Sequence, residues 1–288
     1  METELVDSRY RLLVVDIDGT LLDREGVISV ENKAALTGVV DSGVGVSLST
    51  GRVVQACLKI LHQLALDGYH IFFDGALVSN PKTGEEVYVE PIEKQLLREI
   101  VEFIHHHEIN LDFYSITDYF IERENWATEI RRQFFGLRPT ISDFNKLWPK
   151  ERIIKGTLPV FSDEEREKAE SFRQHFGDRL SLSVTETPAY PGVNFINVIA
   201  RGVSKGRALR ALASYLKIPL DGVVAIGDGA NDVSLLEEAG LAIAMGNAHD
   251  ELKGVADHIT LDVDHNGVAQ AIRVFLLNQQ ESEGGITG

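Results

Sequence analysis

Asp16, Asp18, Gly19 and Thr20 stand together in the run Asp16-Ile17-Asp18-Gly19-Thr20. The apolar run Leu12-Leu13-Val14-Val15 before them predicts a buried strand, so two carboxylates are offered where that strand ends. Like charges so close repel unless a cation lies between them or one takes a proton. The motif therefore points to a bound divalent metal, to a nucleophile beside an acid/base group, or to both. Three further clusters carry chemistry. Ser47-Leu48-Ser49-Thr50-Gly51-Arg52 reads as a strand running directly into a helix start, where a hydroxyl and free N–H groups suit an anion. Ser and Thr are also ordinary helix caps. Ser204-Lys205-Gly206 opens a helix with a cation that opposes the helix dipole; a phosphate would explain it, although a lysine there, taken alone, reads as solvated. Gly227-Asp228-Gly229-Ala230-Asn231-Asp232 offers two carboxylates and an amide on a Gly-rich loop, a donor set for a hard cation, with Asp232 open to the simpler role of capping the next helix.

The elements that must position these residues alternate strand and helix. The spacing predicts a strand over 12–15, a helix near 30–40 closed by Gly43, a strand over 44–49, a helix over 52–66 and a strand over 69–73. The pattern resumes with a helix over 205–216, a strand over 223–226, a short helix over 233–239, a strand over 241–244 and a helix near 268–277. Apolar strands alternating with helices predict an α/β fold with a doubly wound, Rossmann-like parallel core sheet. All strand C-termini of such a sheet share one edge, where ligands bind. Asp16, Thr50, Lys205 and Asp228 are thereby expected to converge.

The middle of the chain breaks this rhythm. Asn80-Pro81-Lys82-Thr83-Gly84 reads as a turn-rich exit. Helices near 93–106 and 163–175 then alternate with polar, alternating strands over 112–116 and 119–122, which predicts an open α+β sheet with one wet face. Residues 1–82 and 201–288 form the expected core, and 83–200 an inserted α+β domain, with Arg201-Gly202-Val203 as the return linker.

A length of 288 residues suits two domains, and 44% hydrophobic residues suffice for substantial cores. A formal net charge of −16 disfavours nucleic acid and anionic membranes as partners. The single cysteine, Cys57, cannot form an internal disulfide and reads as a buried thiol, in keeping with a cytoplasmic protein. Met1-Glu2-Thr3-Glu4 has no basic or apolar leader, no apolar run is long enough for a membrane span, and the tail Glu281–Gly285 reads as disordered. A homodimer is left open.

The four clusters, in this order, resemble the four motifs of the haloacid dehalogenase (HAD) superfamily. Ala244-Met245-Gly246-Asn247-Ala248 and Asn266-Gly267-Val268-Ala269 resemble its Cof-type phosphatase branch, as does the position of the insert between the second and third motifs. Two departures stand out. Asp74, in Phe73-Asp74-Gly75-Ala76, occupies a position where the branch is expected to carry Asn, which bears on the leaving group accepted; His265-Asn266 replaces an acidic pair.

The resemblance implies Mg²⁺-dependent hydrolysis of a small phosphorylated metabolite. Asp16 would be the nucleophile, forming an aspartyl-phosphate, and Asp18 the acid/base. Mg²⁺ would be held by the Asp16 carboxylate, the Asp18 backbone carbonyl and Asp228. Thr50, Gly51, Lys205 and Asn231 would hold phosphoryl oxygens, and Asp232 would orient Lys205 or touch the metal. The insert would act as a cap that selects the substrate, with Arg123, Tyr190 and Asn194 as candidate contacts. His105-His106-His107 ends a predicted helix, where histidines suit dipole and solvent better than a metal. A phosphomutase using the same aspartates, and a non-catalytic binder of phosphometabolites, are the competing readings. A dehalogenase has no use for Asp18 or a metal.

Overall fold

A strand buried on both faces needs an unbroken apolar run, and Leu12–Asp16 (β1) is buried at every position. The computed structural model describes residues 9–186 and 190–277; the acidic N-terminus and the Glu281–Gly285 tail lie outside them. After β1 come α1 (Val30–Asp41), β2 (Gly45–Ser49), α2 (Val54–Leu64), β3 (His70–Phe72), β4 (Leu77–Asn80) and β5 (Glu85–Val89). The middle segment holds α3 (Lys94–His106), β6 (Asp112–Tyr114), β7 (Tyr119–Ile121), α4 (Trp126–Phe135), β8 (Thr140–Ile141), α5 (Phe144–Leu147), β9 (Lys155–Val160), α6 (Asp163–Phe176), β10 (Leu180–Glu186) and β11 (Asn194–Ala200). The chain ends with α7 (Lys205–Leu216), β12 (Val223–Gly227), α8 (Val233–Glu238), β13 (Leu241–Ala244), α9 (Asp250–Val255), β14 (His258–Ile259) and α10 (Gly267–Ile272). Among the described residues no helix is long and apolar enough to cross a membrane.

The chain divides into two units. One comprises residues 1–51, 59–88 and 204–288; the other comprises 52–58 and 89–203. The first is the expected α/β fold, an eight-stranded sheet in the order β14-β13-β12-β1-β2-β3-β4-β5. β1 lies parallel to both β12 and β2, with Val15 opposite Ile226 and Asp16 opposite Ser49. That register sets the ends of β1, β2 and β12 side by side. The sheet is not wholly parallel, because β4 returns antiparallel to β3. The Asn80–Gly84 turn leads to a further strand of the same sheet, β5. The helix C-terminal to β2 starts at Val54 rather than Arg52. α1 is capped by Ser29, whose hydroxyl accepts from the Asn32 N–H, and the buried Asn32 side chain accepts from the Ala269 N–H of α10. Cys57 is buried, as expected.

The second unit is a six-stranded sheet in the order β10-β11-β9-β6-β7-β8. One face, with Phe113, Leu158, Ile196 and Val198, packs against Leu97, Ile100, Val101 and Ile104 of α3 and Phe172 and Phe176 of α6. The opposite face carries polar residues, Asp112, Thr157 and Asn197, in mutual register. They are buried rather than wet. Arg131 of α4 supplies what water would have: its Nη2 lies 2.8 Å from Asp112 Oδ2, its Nε donates to the Tyr114 hydroxyl at 2.5 Å, and its guanidinium lies 4.4 Å from the Phe195 ring centroid.

Candidate active site

At the ends of β1 and β12 the aspartates separate into two environments. Asp16 is only 5% exposed, whereas Asp18 is exposed. Lys205, the first residue of α7, is only 1% exposed, which overturns its reading as a solvated lysine. Its ammonium donates to Asp16 Oδ1 at 2.6 Å and to Asp232 Oδ1 at 2.5 Å. A cation in the first turn of a helix is unfavourable against the dipole, and two buried carboxylates outweigh that cost. Asp232 is fully buried and makes no side-chain cap to α8. Instead its Oδ2 accepts from the Asp228 and Gly229 N–H groups at 3.1 and 3.0 Å, which shapes the loop that carries Asp228.

Asp16, Asp228 and Asp232 each place a carboxylate oxygen within 4.8 Å of the others. Two of these three carboxylates hold the one ammonium, and the electrostatics report the imbalance. Burial and then the Asp232 charge push the Asp16 pKa well above its ordinary range, against the pull of Lys205. Burial pushes Asp228 up to about 6, with the Thr20 hydrogen bond opposing. Lys205 is held charged: burial works against it, and the charges of Asp16, Asp232 and Asp74 more than compensate. The residual negative charge and all-oxygen donor set fit a hard divalent cation.

Two neighbours to which the sequence reading gave no role, Thr20 and Asn247, complete the loop around Asp228. The Thr20 hydroxyl donates to Asp228 Oδ1 at 2.6 Å. Asn247 Nδ2 donates to the Gly19 carbonyl at 2.8 Å and lies 3.3 Å from Asp228 Oδ2, while its Oδ1 accepts from the Val263 N–H. Their signals were present, Thr20 inside the first motif and Asn247 inside Ala244–Ala248, without a partner to give them meaning. Gly19 has φ +81°, and a Cβ there would lie 2.3 Å from Asp228 Oδ2, so both backbone and space demand glycine.

Thr50 and Gly51 do not form a helix N-terminus. The Thr50 N–H donates to the Ile71 carbonyl at 2.9 Å, because β3 extends the ladder past the end of β2. Thr50 is buried, and a Cβ on Gly51 would lie 2.7 Å from an Asp74 oxygen. Asn231 is exposed and donates through Nδ2 to Asp74 Oδ1 at 2.9 Å. One unit therefore brings Asp16, Thr50, Gly51, Lys205, Asp228, Asn231 and Asp232 to one sheet edge, with Asp74 among them. Elsewhere, Arg123 Nη2 reaches Asn110 Oδ1 at 3.5 Å, the Tyr190 hydroxyl donates to Gln133 at 3.0 Å, and Asn194 opens β11. His105 pairs with Glu122 at 2.8 Å, and His107 packs on Phe103.

The family profile described as haloacid dehalogenase-like hydrolase matches residues 13–272. The chain belongs to the haloacid dehalogenase-like hydrolases. It is similar to the 5-amino-6-(5-phospho-D-ribitylamino)uracil phosphatase YcsE of Bacillus subtilis, 30% identical over 281 residues, covering 96% of this chain and all of that protein. Phosphatase YwpJ of the same organism is 28% identical over 292 residues, covering 92% and 100%. Among solved structures, a haloacid dehalogenase-like hydrolase from B. subtilis matches at TM-score 0.76 and 27% identity, covering 92% of this chain and 100% of that one. One from Bacteroides thetaiotaomicron shares the fold at TM-score 0.80 and 24% identity, covering 92% and 100%. The Cof-type membership implied by the late motifs holds, and the chain is an enzyme of the phosphatase type.

Proposed function

We propose that this enzyme hydrolyses a small phosphorylated metabolite, with Mg²⁺, through an aspartyl-phosphate at Asp16. The observation that carries this reading is the cluster in which the carboxylates of Asp16, Asp228 and Asp232 meet, with the Lys205 ammonium bonded to Asp16 and Asp232. Asp16, the Asp18 backbone carbonyl and Asp228 would hold the cation. When bound, it offsets carboxylate charge and lets phosphoryl oxygens approach.

The chemistry then falls to the chain. An Asp16 carboxylate oxygen attacks phosphorus in line, and the bond from phosphorus to the ester oxygen breaks. Asp18, which is exposed, gives its proton to the departing oxygen. It then takes a proton from a water that attacks the same phosphorus; the bond to Asp16 breaks and phosphate leaves. Lys205, Thr50, Gly51 and Asn231 hold the phosphoryl oxygens, and that positioning and charge compensation supplies most of the acceleration. Asp232 holds Lys205 rather than the cation, since both its oxygens are engaged. The second unit selects the substrate. The YcsE relative is a phosphatase of a phosphorylated small molecule, which supports this substrate class.

The test is phosphate release across a panel of phosphorylated metabolites, with Mg²⁺, after exhaustive chelation, and after Mg²⁺ is restored. The reading expects activity that disappears on chelation, returns with Mg²⁺ and releases free phosphate with no bisphosphate activator. Activity that survives chelation overturns it, and transfer to a second hydroxyl without free phosphate would favour a mutase.

A further inference from the structure

Asp74 has a backbone that few residues accept. Its φ and ψ are 56° and 25°, the left-handed region that Asn and Asp tolerate best after glycine. Its N–H donates to the Thr50 carbonyl at 3.0 Å, which ties it to the Thr50–Gly51 turn. The carboxylate is 8% exposed and lies against Gly51, so close that a Cβ at residue 51 would collide with it. One of its oxygens accepts from Asn231, and its charge is among those that hold the Lys205 proton. Asp74 thus touches or influences all four groups assigned above to the phosphoryl oxygens, without being one of them.

We propose that Asp74 is a positioning residue that aligns the Asn231 amide, and that its charge weakens the hold of this site on free phosphate. The proposal rests on the phosphatase reading and deepens it. Asn231 is exposed and without Asp74 would sample several rotamers. An amide nitrogen carries two hydrogens. The bond to Asp74 uses one and fixes the amide plane, leaving the second for a phosphoryl oxygen. A neutral Asn at position 74 could accept the same bond, so alignment alone does not require a carboxylate. What the carboxylate adds is one more negative charge beside the seat of a dianion, in a site already crowded with Asp16, Asp228 and Asp232. The added charge opposes inorganic phosphate, the product, and so favours its departure.

The experiment compares wild type, Asp74→Asn, Asp74→Ala, Asn231→Ala and the Asp74→Ala/Asn231→Ala pair. Inorganic phosphate binding is read by calorimetry with Mg²⁺ present, and kcat and KM with p-nitrophenyl phosphate. Asp74→Asn is expected to bind phosphate on the order of tenfold tighter, with KM falling in step, because it removes charge and keeps the acceptor. Asp74→Ala is expected to lose kcat by about tenfold or more, to match Asn231→Ala, and to add nothing in the double variant. Phosphate affinity unchanged in Asp74→Asn overturns the charge role. Additive losses in the double variant overturn the alignment role. If wild type turns over no phosphomonoester while Asp74→Asn still tightens phosphate binding, the hydrolase mechanism fails and this inference stands.

Discussion

His70 gives a prediction whose size follows from geometry. It lies in β3 with no exposed surface, and its Nδ1 accepts a hydrogen bond at 3.1 Å from the Leu48 N–H, two residues before Thr50. A proton on Nδ1 would break that bond and place a charge in an apolar core. Burial accordingly pushes the imidazole pKa from 6.5 down to about 4, with the Leu66 backbone opposing weakly. The folded protein therefore holds a neutral ring where the unfolded chain binds a proton. Stability from this source is complete above about pH 6.5 and is lost as pH falls toward 4. The full effect is roughly 3 kcal/mol, of which about 2 kcal/mol is gone by pH 5. Urea unfolding of wild type and His70→Asn at pH 7.5, 6.5 and 5.0 isolates it. Asn keeps an acceptor for Leu48, its packing loss is the same at every pH, and all other titrating groups cancel in the difference. The stability gap between the two proteins should narrow by about 2 kcal/mol from pH 7.5 to pH 5.0. A gap constant to within about 0.5 kcal/mol would refute the reasoning.

Three further outcomes are expected. Lys205→Met leaves two buried carboxylates, Asp16 and Asp232, without their cation and should cost about 3–5 kcal/mol of unfolding free energy without divalent metal; a loss under about 1 kcal/mol would contradict the buried-charge account. Gly19→Ala forces a side chain into Asp228 and should cut turnover by about a hundredfold while circular dichroism shows the fold retained; activity near wild type would mean that the Asp228 position does not matter. Mg²⁺ at about a hundred times its Kd should raise the melting temperature by roughly 5 °C, and Asp228→Asn should abolish the shift. No shift in wild type, or an undiminished one in the variant, would remove Asp228 from the cation site.

The core was legible because its strands are apolar runs ending in polar loops. Leu12–Val15 and Val223–Ile226 announce both the buried sheet and the edge where Asp16 and Asp228 meet. The short strands β4, β5 and β14 were not, because each is brief and takes its pairing from neighbours rather than from its own pattern. Lys205 illustrates a different limit. Nothing local distinguishes a lysine held by two distant carboxylates, 189 and 27 residues away, from one in water. Arg131 is the same case in the second unit: alternation over 112–116 suggested a polar, wet face, and only the packing of α4 shows that an arginine, not solvent, meets Asp112. The Thr50 turn was misread as a helix start because the ladder to β3, invisible in one strand, claims its N–H.

The central claim is that Asp16 attacks phosphorus. It is tested most directly by phosphate release from wild type and Asp16→Asn, assayed side by side with Mg²⁺ on the best substrate of the panel. The account predicts a loss of at least about a thousandfold in kcat for a folded, Mg²⁺-saturated Asp16→Asn protein. Turnover near the wild-type rate would contradict it.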